Sequence, residues 1–248
     1  MGSYRRFAPS AFGRGGYVPS GVKWLLIINF TVFVLAFFLG LLEPRTARML
    51  PDWFGLQAAG FFRGMLWQPF TYLFLHGDFW HILFNMLTLW MFGVDLERDW
   101  GRKSFLRYYF VSGVGAGICV VVVNLLWGSA ASTTIGSSGA IYGILLAFGL
   151  LYPTRTVYFS FLFPIQARYF VLIMGVIAFM SSFNQQSPVS NVAHLGGMIF
   201  GYVYLRYRLH QLRFNLRGFY QQWRRRRLQR KFQVYMRKRG QDPGRWVN

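Results

Sequence analysis

The sequence predicts an all-α polytopic membrane protein of six transmembrane helices, and three observations carry that prediction. Of its 248 residues, 54% are hydrophobic and only 14% are charged. Apolar runs long enough to cross a bilayer recur from Val22 to Tyr207. The basic residues are gathered at one end, where 14 of the 27 Lys and Arg residues lie from Arg206 onward. Such a composition excludes a soluble globule and describes one integral membrane domain. Cys119 is the sole cysteine, which excludes an internal disulfide and any Cys-based metal centre.

Residues 1–21 form a basic N-terminal segment, with Arg5, Arg6 and Arg14, followed by the first span at Val22–Leu42. That apolar run is too long for a signal-peptide core and lacks a small-residue cleavage site, so it is a retained span. The connection from Glu43 to Trp80 is too polar to cross but rich in aromatics, including Trp53, Phe54, Phe61, Phe62, Trp67, Phe70 and Phe74. Such a segment suits short helices lying in the membrane interface. The second span starts near His81 and ends before the charged group Asp95, Glu97, Arg98, Asp99, Arg102 and Lys103. The third runs from about Phe105 to Trp127, with Gly113 and Gly117 spaced for close helix contact.

An uncharged link, residues 128–135, leads to a fourth apolar helix of about 15 residues that opens at Gly136-Ser137-Ser138-Gly139 and stops at Pro153. At ~1.5 Å per residue it covers only about 22 Å of a hydrocarbon layer roughly 30 Å thick, so it begins below one membrane surface. The fifth span is Ala167–Phe183. The sixth, Asn191–Tyr207, completes a membrane domain of residues 22–207, and 208–248 is a basic tail.

Six spans put both termini on one side. The N-terminal segment, the 94–107 and 154–168 links and the tail, with Lys23 and Arg206 at the adjoining span ends, hold 24 of the 27 basic residues, against Arg45, Arg48 and Arg63 on the alternate side. The positive-inside rule therefore predicts cytoplasmic termini and places the 43–80 segment and the start of the fourth helix outside. A basic tail after a membrane helix is expected to bind anionic lipid headgroups; no nucleic acid is expected as partner.

Polar residues at membrane depth are functional candidates by default. Ser138 and Tyr142, four apart, share a face of the short helix, and Gly139 and Gly143 share the neighbouring one. In the sixth span His194, Gly197 and Gly201 fall at i, i+3 and i+7. Packing these small-residue stripes together brings His194 near Ser138, a serine nucleophile with a histidine base. The same features also suit packing alone, with Ser137 or Ser138 as helix caps. His81 and Asn85, on one face of the second span, both carry N–H donors. With the Ser138 backbone N–H they form either an oxyanion hole or a polar contact between helices. The chain lacks H-E-x-x-H, and no metal or cofactor is expected.

His76, His81-Ile82-Leu83-Phe84-Asn85, Gly136-Ser137-Ser138-Gly139 with Tyr142, and Ala193-His194 with Gly197 and Gly201 occur in order on successive helices. Together they resemble the rhomboid family of intramembrane serine proteases, over roughly residues 22–207. The resemblance implies a rhomboid-like six-helix bundle of the cell (inner) membrane, with the 43–80 segment as its interfacial first loop. It further implies Ser138, not Ser137, as nucleophile, His194 as base, and His81 and Asn85 at the oxyanion site. Tyr142 is then the aromatic packed on the histidine, and His76 a supporting position. The implied activity is endoproteolysis of single-span or other membrane-protein substrates near the outer face, through a Ser-His dyad. The competing class is a non-proteolytic relative that binds or escorts membrane clients. Many members carry Trp-Arg in the first loop where this chain has Trp67-Gln68, which removes a multi-donor fork. The soluble-hydrolase pattern G-x-S-x-G is not met, because Ala140 takes its last position.

Overall fold

Ser20–Leu42 form α1, 23 residues or about 34 Å of helix. In the computed structural model, which describes residues 17–126, 130–159, 163–182, 191–208, 224 and 227–228, α1 starts without any side-chain cap of its own. Its first N–H groups are satisfied instead by Glu97. Gly21 N–H donates to Glu97 Oε1 at 2.7 Å and Val22 N–H to Oε2 at 2.6 Å. This carboxylate is only 3% exposed, and it meets both the orphan N–H groups and the positive end of the helix dipole. Gly21 is required here, since a Cβ would stand 2.8 Å from Glu97 Oε2.

The first loop folds as a series of short helices: α2 (Pro44–Phe54), α3 (Ala58–Phe62), α4 (Gln68–Thr71) and a 3₁₀ turn, Tyr72–Phe74. Pro44 opens α2, where its missing N–H costs nothing. Met49, Trp53, Phe54, Phe62, Leu66, Trp67 and Phe70 are exposed, an apolar surface in keeping with an interfacial segment. Gln68 is completely buried. Its Oε1 accepts from Gln57 N–H at 3.1 Å and its Nε2 donates to the Asp52 carbonyl at 3.0 Å. The amide thus ties α2 to the start of α3, and Gly60 leaves room for it.

The second span is longer than its apolar run. α5 extends over Phe79–Trp100, carrying Asp95, Glu97, Arg98 and Asp99 inside its last turns. These charges stay helical because they find partners. Glu97 caps α1; Asp95 pairs with Arg155 at 2.7 Å; Asp99 accepts from the Tyr152 hydroxyl. α6 (Arg102–Leu126) and α7 (Ser138–Leu151, 14 residues) follow. Within this mostly helical fold the 154–168 link carries a short hairpin. Thr156–Phe159 (β1) and Phe163–Gln166 (β2) form an antiparallel hairpin with Thr156 opposite Gln166, from a β-branched and aromatic run suited to strands.

Ala167–Ser181 form α8. The chain divides into two units, Met1–Tyr202 and Val203–Asn248; residues 191–202 form α9 of the first, and in the second 203–208, 224 and 227–228 are described and helical. Residues 1–16, the whole 184–190 link and most of the basic tail lie outside the described residues. Among the described residues α1, α5 and α6 are long and apolar enough to cross a membrane, and α7 and α8 are shorter apolar helices. A helix thus stands at each of the six expected positions.

α7 lies against α6 and α9 with almost no side chain between. A Cβ on Gly139 would stand 2.6 Å from Ala116 Cβ, and one on Gly143 2.6 Å from Ser112 on α6 and 3.1 Å from the Gly197 carbonyl. One on Gly197 would fall onto the Gly139 carbonyl oxygen, and one on Gly201 would stand 3.2 Å from Gly143 Cα. The two glycine stripes therefore meet, backbone on backbone, as small-residue interfaces permit. Tyr108 donates to the Gly143 carbonyl at 2.7 Å, fixing the register from the α6 side.

Two expectations follow for unfolding measured in detergent micelles. Gly197→Ala forces a methyl onto a backbone carbonyl that cannot step aside, and is expected to destabilise by about 3 kcal/mol. Glu97→Ala strands two helix-start N–H groups and should cost about 3 kcal/mol, while Glu97→Gln, which keeps one acceptor, should cost roughly half as much.

Candidate active site

The site begins at a turn that only glycine makes easily. Gly136 has φ +117°, a conformation other residues avoid. A Cβ there would also stand 2.6 Å from His81 Nε2. Gly136 N–H donates to the Tyr72 carbonyl at 2.9 Å, and Leu56 and Thr134 bridge the first loop to the strand-like approach. The turn that carries the two serines is thereby fastened to the first loop before α7 starts.

Two serines follow with different surroundings. Ser137 is fully buried and occupies the N-cap position, yet its hydroxyl makes no cap hydrogen bond. It shares a hydrogen bond with His76 Nε2 at 3.3 Å. Ser138 is the first residue of α7 and is half-buried. Its Oγ stands 2.9 Å from His194 Nε2. The reading of these serines as plain helix caps therefore fits neither hydroxyl.

His194 is held by its face as well as its edge. The Tyr142 ring, one helical turn beyond Ser138, lies 4.1 Å from the imidazole centroid and only 6° from parallel. Stacking of this kind fixes the plane of a ring without using its nitrogens. Among the described residues nothing bonds His194 Nδ1, so no carboxylate stands behind it as a third member.

His81 and Asn85 reach the same space from α5. The Asp78 carboxylate accepts from His81 N–H at 2.9 Å and caps α5, which sets His81 in the first turn. Asn85, one turn further, is 7% exposed, and its Nδ2 has no acceptor among the described residues. An amide N–H group left unpaired and buried is costly; one aimed at a reacting oxygen would be paired only during reaction. Both side chains, with Ser138, Tyr142 and His194, line one cavity of about 460 Å³. Ser138 opens α7, so its backbone N–H has no acceptor within the helix.

All six side chains expected at the site are accounted for. Ser138, His194, Tyr142, His81 and Asn85 line the cavity, and His76 lies beneath it, its ring edge-on to His81 at 5.0 Å and 70°. Gly139, Gly143, Gly197 and Gly201 make the helix crossing that brings the serine and histidine together. Sequence reasoning missed the bond between Ser137 and His76 and the positive φ at Gly136. A glycine directly before a helix-opening Ser-Ser pair is the one signal that pointed to a strained turn.

Comparison with known proteins identifies the family. The rhomboid domain profile matches residues 63–211, well over half of the chain. Rhomboid protein 1, mitochondrial, of Saccharomyces cerevisiae is 30% identical over 134 residues, covering 53% of this chain and 38% of the relative. RHOMBOID-like protein 1 of Arabidopsis thaliana is 30% identical over 139 residues, covering 56% and 33%. Rhomboid protease GluP of Bacillus subtilis is 32% identical over 140 residues, covering 56% and 25%. The chain thus spans a quarter to two-fifths of the length of these relatives. With the profile matched over the helices that carry the cavity, the chain belongs to the rhomboid family and is a multi-pass membrane protein.

Proposed function

We propose that this chain is an intramembrane serine endopeptidase that cuts transmembrane segments near the outer face of the membrane. The observation that carries the reading is the 2.9 Å contact between Ser138 Oγ and His194 Nε2, within the range a general base needs to take the serine proton. Membership of a family with a relative named as a protease supports it.

In this mechanism a substrate helix unwinds at its outer end, because a carbonyl held in a helical hydrogen bond cannot be presented to Ser138. Ser138 Oγ attacks the carbonyl carbon while His194 Nε2 accepts the hydroxyl proton. The oxyanion is met by Asn85 Nδ2, a His81 ring N–H and the Ser138 backbone N–H, donors already in position before charge develops. Collapse breaks the C–N bond, and His194 gives its proton to the leaving amine. Water then enters from the outer side, loses a proton to His194 and attacks the ester carbon. The carboxylic acid product leaves and the Ser138 hydroxyl is restored. Among the described residues no carboxylate stands behind His194, and the Tyr142 stack is what orients the base.

The orientation that suits this chemistry is the one the charges favour, with cytoplasmic termini and Ser138 on the outer side of the cell (inner) membrane. Residues 1–21 and 208–248 then flank the 22–207 membrane domain in the cytoplasm, and the basic tail meets anionic lipid headgroups.

The test is cleavage of a panel of single-span substrates by the purified, detergent-solubilised protein. Ser138→Ala and His194→Ala are each expected to lower kcat by about 10⁴-fold or more. Tyr142→Phe, which keeps the stacked ring, should remain within about threefold of the parent, whereas Tyr142→Ala should lose about tenfold. Cleavage that persists in Ser138→Ala removes Ser138 as nucleophile; a folded parent that cleaves no substrate and takes no fluorophosphonate label favours a non-proteolytic client binder.

A further inference from the structure

Ser137 forgoes the role its position offers. A serine at the N-cap ordinarily turns its oxygen onto the N–H of the second or third helical residue. Here the hydroxyl makes no such bond. It points into the protein, fully buried, and engages His76 Nε2 at 3.3 Å. The buried Tyr109 hydroxyl of α6 lies beside it without reaching hydrogen-bond geometry.

The contacts close on themselves. His76, 9% exposed, meets the face of His81 at 5.0 Å between centroids. His81 Nε2 in turn rests over Gly136, occupying the space where a Cβ would be. Gly136 is covalently joined to Ser137, and its N–H is held by the Tyr72 carbonyl, four residues before His76. Turn, serine, inner imidazole and cavity imidazole thus form one ring of contacts. Of its joints, only the one between Ser137 and His76 is a side-chain hydrogen bond, and so the only directional one between side chains.

We propose that Ser137 is a positioning residue for the reaction: through His76 it holds His81 over Gly136 and keeps its ring aimed at the oxyanion position. This rests on Ser138 being the nucleophile and adds a role for its neighbour. Ser137 itself touches neither substrate nor the reacting atoms. Its removal leaves Ser138, His194 and Asn85 in place and releases His81, so the loss falls on transition-state stabilisation and not on substrate capture.

The experiment is a double-mutant cycle on the full chain in detergent, with kcat and KM measured on a single-span substrate and the rate of fluorophosphonate labelling as a second readout. Ser137→Ala is expected to lower kcat and labelling about tenfold, with KM within about twofold. In the His81→Ala background the same substitution should change the residual rate by less than about twofold, because the group it positions is gone. A purely structural serine would give the same loss in both backgrounds, and that result overturns the proposal, as does parental kcat in Ser137→Ala. If Ser137→Ala does not fold, His76→Phe keeps the ring against His81 and removes the hydrogen bond. It should then show the tenfold loss, and a parental rate would overturn the proposal. Ser138→Ala separates the two levels: cleavage retained there sinks the nucleophile assignment, whereas cleavage lost there beside a parental Ser137→Ala sinks only the role of Ser137.

Discussion

The whole arrangement depends on α7 and α9 touching through their backbones. In lipid no hydrophobic force drives helices together, so association rests on close packing and on polar contacts. The glycines at 139, 143, 197 and 201 permit a separation that any side chain would widen. That separation decides chemistry as well as stability. Ser138 and His194 sit at the same end of the crossing, and a hydrogen bond of 2.9 Å tolerates little movement between the two helices. The Tyr142 stack then needs no further element, since it lies one turn along the same face of α7 as Ser138.

Around this crossing the protein satisfies buried polar groups with partners distant in sequence. Glu97 completes the start of a helix by accepting from an N–H group 76 residues earlier. Gln68 joins two segments of the first loop, and Tyr72 and Tyr108 donate to glycine carbonyls on α6 and α7. Glu97 and Gln68 meet backbone groups that would otherwise lack a partner in a water-poor environment, and the two buried tyrosine hydroxyls find acceptors on helix carbonyls. The neutral Gln68 amide serves its site because it offers an acceptor and donors together, which a guanidinium would not. Asn85 and Asn124 do not follow this pattern, each having an amide N–H group buried without an acceptor among the described residues; of the two, Asn85 lines the cavity, as a preorganised oxyanion donor would before substrate arrives.

What the sequence made legible was local or periodic. Hydroxyl and imidazole groups stand out inside apolar runs, and small residues at helical spacing mark the faces that pack. Ser138, His194 and the glycine stripes could therefore be brought together from spacing alone. The length of α5 could not, because a charged stretch reads as a solvated link unless its partners are known, and Glu97, Asp95 and Asp99 find theirs on α1, on Arg155 and on Tyr152. The 156–166 hairpin was hidden by its brevity, with strands of four residues between two helices. Ser137 was hidden for another reason. A serine at a helix start has one expected use, and only coordinates reveal that its hydroxyl points the other way.

The Glu97 cap also bears on how the chain is made. α1 leaves the ribosome before α5, and the carboxylate that completes its first turn is synthesised 75 residues after Val22. Until α5 is inserted, the amides of Gly21 and Val22 depend on water at the membrane surface. Docking of the end of α5 then replaces that water and locks two helices whose insertion was separate. The start of α1 is thus finished by a later helix, and the nascent chain carries an unfinished helix start across the synthesis of the entire first loop.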